Sequence, residues 1–413
     1  MPDLTHALRW IDAQRDAMAD LVERWANINS GSASLPGLSR MCDQLDDAFA
    51  VLDGKRTRID LPPREVVADT GELLAQSAGQ ALSIDHAATA RPRVLLCIHY
   101  DTVYGSDHPF QTVTRPDAHT MRGPGVLDAK GGIAVILTAL RALEQSDLAN
   151  RLRWRVLLTP DEEIGSPSSR PLLAAAAREH DVGLVYEPTL ADGSMASARK
   201  GSGNFTLVVR GRSAHAGREH HLGRNAIHAL AEIITELHRM NDDLAGVTVN
   251  VGRIGGGGPV NVVPDMAIAR FNVRMNDREQ QCAVEARLAD LLARINARDG
   301  YTATLHGGIT SPPKPVDTPM QRLMDLVTEC GQRLGVPITW QATGGVCDGN
   351  KLAAAGLPTV DTLGPRGAGM HSSDEHLLID SLTERAKLTY AILAALAAGD
   401  VAPGRNPSTE ART

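Results

Sequence analysis

The residues best suited to chemistry begin with His99 and Asp101, which follow an apolar run. The five consecutive apolar residues Val94–Ile98 predict a fully buried strand. His99 and Asp101 then lie two residues apart, on one face of the chain. A neutral imidazole can bind a metal while a carboxylate sets its tautomer or joins the ligand shell. An isolated pair of this kind is commonly structural, so its meaning depends on the motifs that follow.

A glycine-rich turn brings in the next acid, Asp128, within Arg122–Gly132 (Arg-Gly-Pro-Gly-Val-Leu-Asp-Ala-Lys-Gly-Gly). A dinucleotide-binding loop fits poorly, because the third glycine is missing and an acid lies where pyrophosphate would bind. We interpret the segment as a turn that delivers Asp128 to a crowded point. Gly131 and Gly132 are then expected to open a buried helix over 133–143.

Two further apolar runs end in acids. The run 154–158 predicts a buried strand that leads to Asp161–Glu163, and the run 182–186 predicts another that ends at Glu187. Adjacent carboxylates repel each other unless a cation or a shared proton stabilises them, so one could bind metal while its neighbour acts as a base. Sites of parallel α/β sheets lie at the carboxyl ends of the strands, so these ends are expected to converge. A helix is expected from Gly165 onward.

A second imidazole comes late in the chain, where a glycine-rich loop after a predicted strand at 358–361 ends at His371. Two histidines and several carboxylates without thiolates suit zinc or another divalent ion. Their wide separation along the chain means that the fold must assemble the site. Five ligands and one spare glutamate fit two metals that share a bridging carboxylate.

Length and composition limit the class of protein. The 413 residues predict two domains, and 43% hydrophobic with 22% charged residues describes a soluble globular chain. A net charge of −7 without a Lys/Arg run argues against nucleic acid, and no apolar stretch reaches membrane length. The N-terminus lacks a signal-peptide pattern. Five scattered cysteines without a C-x-x-C pair predict a reducing compartment, most simply the cytoplasm.

The order of predicted elements divides the chain. From about residue 200 it reads β-α-β-β-α-β, the order of a ferredoxin-like sandwich inserted into an α/β domain. The predicted parts are a catalytic domain in two pieces, 1–199 and 309–400, an inserted domain, 200–308, and a disordered tail, 401–413.

The N-terminal region offers no chemistry. Residues 5–28 predict one amphipathic helix, and 29–90 predict turns and mixed stretches with two short strands. Asp85 and His86 are interpreted as a solvated pair in a polar segment.

Together these motifs resemble the bacterial glutamate-carboxypeptidase family of di-zinc peptidases. Acetylornithine deacetylase, aminoacylase and succinyl-diaminopimelate desuccinylase belong to the same superfamily. The motifs that carry the resemblance are His99-x-Asp101-Thr, Gly123-x-Gly-x-x-Asp128-x-Lys-Gly-Gly, Asp161-Glu-Glu163, Glu187-Pro188 and the late His371. They occur in order over nearly the whole chain, which includes the inserted sandwich.

The resemblance implies a metal site. Asp128 would bridge two Zn²⁺ ions, with Co²⁺ or Mn²⁺ as alternatives. His99 and Glu187 would complete one site, and Glu163 and His371 the other. The fold it implies is α/β, a mostly parallel-sheet di-zinc peptidase catalytic domain with an inserted ferredoxin-like α+β lid and dimerisation domain.

The resemblance also implies catalytic and binding roles. Asp101 would orient the first imidazole, and Glu162 would deprotonate the bridging water and later protonate the leaving amine. His215 would reach across a homodimer to the oxyanion of the partner's site. The residues implied in substrate binding are Asn261, Arg274 and Gly345.

We therefore predict a hydrolase that cleaves an amide next to a free carboxylate in a small peptide or N-acyl amino acid, as a carboxypeptidase or N-acyl-amino-acid amidohydrolase. A deacylase of a biosynthetic intermediate, of the acetylornithine or succinyl-diaminopimelate type, is the alternative among enzymes. A non-catalytic binding protein on a peptidase scaffold would predict loss of Glu162 or of a ligand, and all are present. A serine hydrolase is disfavoured because no G-x-S-x-G motif occurs.

Overall fold

The helices follow the apolar periods of the sequence in residues 4–399, which the computed structural model describes. They are α1 Thr5–Asp12, α2 Arg15–Ala26, α3 Leu35–Phe49, α4 Gly131–Glu144, α5 Arg170–Glu179, α6 Ala226–Asp243, α7 Arg278–Asn296, α8 Thr318–Leu334, α9 Asp348–Ala354 and α10 Asp380–Ala398. Within this range, no helix combines the length and apolar character that crossing a membrane requires. The predicted tail, 401–413, lies outside the described residues.

The strands fall into a main sheet, a second sheet, a short three-stranded sheet and two strand pairs. They are β1 Lys55–Asp60, β2 Arg64–Val67, β3 Leu73–Gln76, β4 Gln80–Asp85, β5 Arg93–His99, β6 Thr120–Arg122, β7 Arg153–Thr159, β8 Val182–Val185, β9 Met195–Arg199, β10 Gly201–Arg210, β11 Thr248–Gly256, β12 Met266–Met275, β13 Thr302–Ser311, β14 Trp340–Thr343, β15 Thr359–Val360, β16 Gly367–Ala368 and β17 His376–Leu378.

The main sheet has the order β1-β4-β7-β5-β8-β15. β7, β5, β8 and β15 pair in parallel, and β4 alone runs against the other strands. Alternate residues of β5 enter different cores: Leu96 packs towards α4 and α10, and Cys97 towards α5 and α9. Burial on both faces explains the uninterrupted apolar run and confirms the predicted mostly parallel α/β sheet. The carboxyl ends of the five strands other than β4 therefore share one edge.

A second, antiparallel sheet has the order β11-β12-β10-β13. The chain order β10-α6-β11-β12-α7-β13 is the predicted ferredoxin-like arrangement, and α6 and α7 bury one face of this sheet in a separate apolar core. The side chains of Asn225 and Asp277 cap the two helices by accepting backbone N–H groups of the first turn. The last strand of this sheet, β13, extends to Ser311 and so passes the predicted boundary at 308. The division of the chain at 200 and 308 stays a prediction.

Several local predictions were wrong. The single helix over 5–28 is two helices, α1 and α2, which break between Asp12 and Arg15. The stretch 29–90 contains the helix α3, whose early Pro36 and Gly37 give it the look of a turn. No α-helix opens at Gly165, which is left-handed at φ +90°, and α5 begins only at Arg170.

The interpretation of His86 as solvated was also wrong. Its ring is buried and stacks on Trp154 at 5.2 Å between ring centroids.

Candidate metal centre

Five side chains meet at the carboxyl edge of the main sheet, each from a different connection. His99 ends β5, Glu163 lies in a 3₁₀ turn after β7, and Glu187 follows β8. Asp128 lies in a turn that leads into α4, and His371 lies in the loop after β16. The structure thus brings together all five residues that the sequence suggested as ligands.

Asp128 lies at the centre of the group. One carboxylate oxygen, Oδ1, is 3.0 Å from Nε2 of His99, and the other, Oδ2, is 3.3 Å from Nε2 of His371. Glu187 Oε2 is 3.7 Å from the first imidazole, and Glu163 Oε2 is 3.2 Å from the second. Asp128 therefore separates two half-sites, each with one imidazole and one glutamate. Donor atoms of His99, Asp128 and Glu163 all lie within 4.8 Å of one another.

Unusual backbone conformations deliver the two loop ligands. Gly125 is left-handed at φ +74°, and a Cβ there would lie 2.7 Å from Thr102, so a side chain would disturb the turn before Asp128. His371 also has a left-handed φ, +61°, which non-glycine residues adopt only where their surroundings hold them. The His371 side chain is 57% exposed and that of His99 1%, so the site opens to solvent on the His371 side.

Asp101 connects the first imidazole to the acidic turn. Nδ1 of His99 lies 3.3 Å from Asp101 Oδ1 and 3.1 Å from its carbonyl oxygen, so Nδ1 is the donor and Nε2 faces the carboxylates. Asp101 also accepts the backbone N–H groups of Glu162, at 3.0 Å, and Glu163, at 3.2 Å. Ser32 donates to the same carboxylate at 2.7 Å. One buried carboxylate thus orients a histidine and both glutamates.

The three consecutive acids separate in the fold. Asp161 turns away from the cluster and accepts backbone N–H groups of Ser168, at 2.8 Å, and Ser169, at 3.1 Å. Glu163 contacts His371, whereas no hydrogen bond or ion pair within residues 4–399 occupies the Glu162 carboxylate. Glu162 is therefore a spare carboxylate next to the cluster.

Crowding of like charges shifts the proton affinities at this edge. Burial, and then the charge of Asp128, raise the pKa of Glu163 to about 7. Burial and the charge of Glu187 raise the pKa of Glu162 well above its ordinary value. Hydrogen bonds to Asp128 and Glu163 raise the pKa of His371 to about 10. Without a cation, protons must compensate the negative charge of this group.

His215, in the segment between β10 and α6, and Asn261, in the segment between β11 and β12, lie together. His215 forms an isolated bridge with Val262, and Ala216 donates its backbone N–H to the Asn261 carbonyl at 2.9 Å. Nδ1 of His215 accepts the N–H of Gly217 at 3.1 Å, which leaves Nε2 as the protonated nitrogen. Both residues are exposed, and within residues 4–399 no hydrogen bond or ion pair connects them to the five clustered side chains.

Arg274 lies on β12 of the second sheet, and Gly345 lies in the loop that follows β14. Arg274 is half-buried, donates to Asn272 Oδ1 at 2.9 Å and reaches the Gly344 carbonyl at 3.5 Å. Burial lowers the pKa of Arg274, and no ion pair within the described part of the chain gives it a carboxylate partner. The Gly345 carbonyl accepts from Arg199 at 3.2 Å.

Sequence reasoning missed the residues that support the site from behind. Glu375 accepts hydrogen bonds from the turn that carries Asp128. Asp348 is buried and accepts from Lys351 at 2.9 Å and Thr159 at 3.1 Å. The one local signal for Asp348 was its position directly before a predicted helical segment. Such a position does not distinguish a residue in a buried ion pair from a helix cap.

Paired imidazoles that face carboxylates at a sheet edge are used by hydrolases to bind divalent metals. Fold and site together define this chain as a metal-dependent hydrolase. The chain belongs to peptidase family M20/M25/M40, whose family model matches residues 95–395. The predicted family membership is confirmed.

Individual relatives agree with this assignment. Carboxypeptidase G2 of Pseudomonas sp. (strain RS-16) is 26% identical over 401 residues, 94% of this chain and 91% of that protein. A succinyl-diaminopimelate desuccinylase of Azoarcus sp. (strain BH72) is 30% identical over 329 residues, 75% of this chain and 84% of that protein. The M20 family metallo-carboxypeptidase Sso-CP2 of Sulfolobus solfataricus has a TM-score of 0.71 at 16% identity, over 92% of this chain and 99% of that chain. The last likeness concerns the fold.

Proposed function

We propose that this chain hydrolyses an amide bond next to a free carboxylate, with two divalent metal ions, most simply Zn²⁺, at the cluster. The observation that carries the proposal is the position of Asp128, whose two oxygens face two different imidazoles. A carboxylate placed in this way can bridge two cations, and each half-site then has one further glutamate.

The side chains present fit such metals. All five donors are imidazole nitrogens or carboxylate oxygens, the ligands that Zn²⁺, Co²⁺ and Mn²⁺ accept. Glu187 Oε1 is buried without a hydrogen-bond partner within the described residues, as expected of an atom reserved for a cation. His99 donates from Nδ1 to Asp101, which leaves Nε2 free to bind a metal. Bound metals would lower the pKa of water and polarise the scissile carbonyl.

Glu162 would carry the proton. Its backbone is fixed by Asp101, and its carboxylate has no competing partner among the described residues. Because burial raises the pKa of Glu162, the carboxylate binds a proton readily and can then give it to the leaving amine. Arg274 would bind the free carboxylate of the substrate, since it is a half-buried cation without an ion-pair partner in residues 4–399.

Metal analysis combined with kinetics of Glu162→Gln tests the proposal. We expect the variant to retain about two metals per chain, like the wild type. Its turnover of N-acetyl amino acids or dipeptides should fall by roughly a hundredfold or more, as for loss of a general base. Glu144→Gln, on the far end of α4, is the matched control. Unchanged turnover would refute the role of Glu162, and metal-free wild-type protein that stays active would refute the proposal itself.

A homodimer through the second sheet completes the proposal. β11 is an edge strand, with no partner on its outer side in the described residues. Nearby apolar side chains are exposed, with Ile254 at 65%, Val260 at 101% and Ile227 at 45%. Unpaired edges and exposed apolar groups favour association. His215 and Asn261, which form no hydrogen bond or ion pair with the cluster of their own chain within the described residues, would then act in the partner's site.

A deacylase of a biosynthetic intermediate is a second candidate. It is favoured by the 30% identity to the succinyl-diaminopimelate desuccinylase of Azoarcus sp.. Assays on N-acetylornithine, N-succinyl-diaminopimelate and dipeptides separate the candidates by their kcat/KM. A cytoplasmic location remains part of the proposal, because all five cysteines are free.

A further inference from the structure

Three charged side chains form a buried group beside the two points where the chain enters and leaves the second sheet. Arg199 ends β9, just before the second sheet begins, and Lys314 follows just after that sheet ends. The two residues pair through reciprocal backbone hydrogen bonds of 3.0 Å. Both side chains converge on Asp361, at the carboxyl end of β15. All three are buried.

Asp361 fixes the direction of the Arg199 guanidinium. Nε and Nη2 of Arg199 donate to the two oxygens of Asp361 at 3.0 and 2.7 Å, and Lys314 Nζ donates to the same carboxylate at 2.7 Å. This bidentate geometry is the most directional form of an ion pair. Only Nη1 of Arg199 remains, and it donates to the Gly345 carbonyl at 3.2 Å.

The loop that Arg199 holds is the one that Arg274 reaches. β9 and β14 pair in parallel and end side by side, at Arg199 and Thr343, so the Gly344–Gly345 loop begins next to the guanidinium. Arg274, on β12 of the second sheet, contacts the Gly344 carbonyl at 3.5 Å. Two arginines from different sheets thus hold consecutive carbonyl groups of one loop.

The buried group also carries excess positive charge. Arg199 and Lys314 contribute two cations. Asp361 is the only carboxylate that forms an ion pair with either of them in residues 4–399, and the charge of Glu187 also acts on Arg199 without an ion pair. A charge in a buried environment is screened little by solvent. An anion bound near the Gly344–Gly345 loop would therefore be attracted.

We propose that Arg199, held by Asp361, is a positioning residue of the subsite for the substrate's carboxylate: it sets the Gly344–Gly345 loop against Arg274 and adds positive charge behind it. The inference rests on the proposed function, which places the carboxylate at Arg274. It assigns Arg199 and Lys314 to the support of this subsite.

Discrimination between an acid and its amide tests this proposal. The substrates are N-acetyl-methionine and N-acetyl-methioninamide, in which only the carboxylate is replaced. The variants are Arg199→Lys, which keeps a cation for Asp361 but cannot also reach Gly345, and Asp361→Asn. We expect Arg199→Lys to lower kcat/KM for the acid roughly ten- to a hundredfold, mainly through KM, since it loses a charged hydrogen bond. The rate with the amide should change far less.

The matched control is Asp181→Asn. Asp181 accepts a similar bidentate pair from Arg93, but at the start of β8, the opposite edge of the same sheet. It should leave the acid-to-amide ratio unchanged. An equal loss for both substrates in Arg199→Lys and Asp361→Asn, or an unchanged ratio, would overturn the proposal.

Binding to the Glu162→Gln protein gives the same test without turnover. Calorimetric titration with the acid and the amide should show that Arg199→Lys weakens only binding of the acid. If the wild type fails to hydrolyse either substrate but this selective loss is observed, the proposed function fails and the subsite stands. If binding of the acid is insensitive to Arg199→Lys, the subsite proposal fails whatever the activity.

Discussion

The carboxylate of Glu375 accepts the backbone N–H of Asp128 at 3.0 Å, although the two residues are far apart in the chain. The same oxygen accepts the N–H of Leu127 at 2.9 Å, and the other oxygen accepts Gly125 N–H at 3.1 Å and the Tyr104 hydroxyl at 2.8 Å. One buried carboxylate thus fixes the turn that presents Asp128. The Tyr104 hydroxyl also lies 2.8 Å from the Ser372 carbonyl oxygen, so the same network reaches the residue after His371.

Glu375→Gln should weaken metal binding. Its amide NH₂ cannot accept hydrogen bonds, so backbone N–H groups of the Asp128 turn lose an acceptor. We expect metal affinity to fall roughly ten- to a hundredfold, as is typical when a partner behind the ligands is lost. Competition with a chromophoric chelator measures the affinity. Glu144→Gln is the control, because Glu144 also accepts a backbone N–H, from Asp53, but far from the site. Equal affinities in the two variants would contradict this role.

The five clustered residues could be predicted from local sequence patterns, whereas the residues that hold them in place could not. His99 and Glu187 follow buried apolar runs, and Asp128 follows a glycine turn, so each has a local signal and the sheet topology joins them. Glu375 accepts hydrogen bonds from backbone N–H groups 247 to 250 residues away, and no sequence pattern near Glu375 indicates these partners. Its role could not be predicted without the fold.

The same distinction explains the wrong local predictions. His86 has polar neighbours in the sequence, but the fold places it on Trp154, a contact between distant segments. In α3, Pro36 and Gly37 look like a turn, yet proline is tolerated in the first turn of a helix, and Leu38, Met41 and Leu45 then bury one face. The βαββαβ order was predictable because each element has its own period.

Metal binding should release protons. In the metal-free site, hydrogen bonds to Asp128 and Glu163 raise the pKa of His371 to about 10, so the imidazole is protonated at neutral pH. A protonated imidazole cannot bind a metal, so the proton must leave. We expect affinity for Zn²⁺ to rise at least roughly tenfold per pH unit below that pKa, and more steeply below about 7, where Glu163 must also lose a proton. Calorimetry of Zn²⁺ binding in buffers of different ionisation enthalpy counts the protons. Affinity that is flat with pH would show that His371 does not bind the metal.

Asp361 should make stability fall in acid. Burial alone would raise the pKa of Asp361, but Arg199 and Lys314 lower it from its ordinary value of 3.8 to about 2. A depressed pKa stabilises the fold above pH 3.8, and this stabilisation is lost as the pH falls through about 2. The contribution is of the order of 2 kcal/mol. Urea unfolding of wild type and Asp361→Asn at pH 7 and pH 3 should show a smaller difference at pH 3. A constant difference would contradict the assigned pKa.

Hybrid dimers should reveal whether His215 acts across a subunit boundary. Within residues 4–399 no hydrogen bond or ion pair connects His215 to the metal cluster. Under the proposed function, His215→Ala and Glu162→Gln should each abolish most activity, for different reasons. In a mixed dimer, the site with intact Glu162 would face the partner that keeps His215. Denaturing and refolding the two inactive proteins together should therefore restore about a quarter of wild-type activity, because half of the dimers are mixed and one of their two sites is complete. Each protein refolded alone is the control. Restored activity would show that the two residues act in one site from different chains. Native mass spectrometry shows whether mixed dimers have formed. If they have formed and activity is not restored, His215 acts in the site of its own chain or outside catalysis.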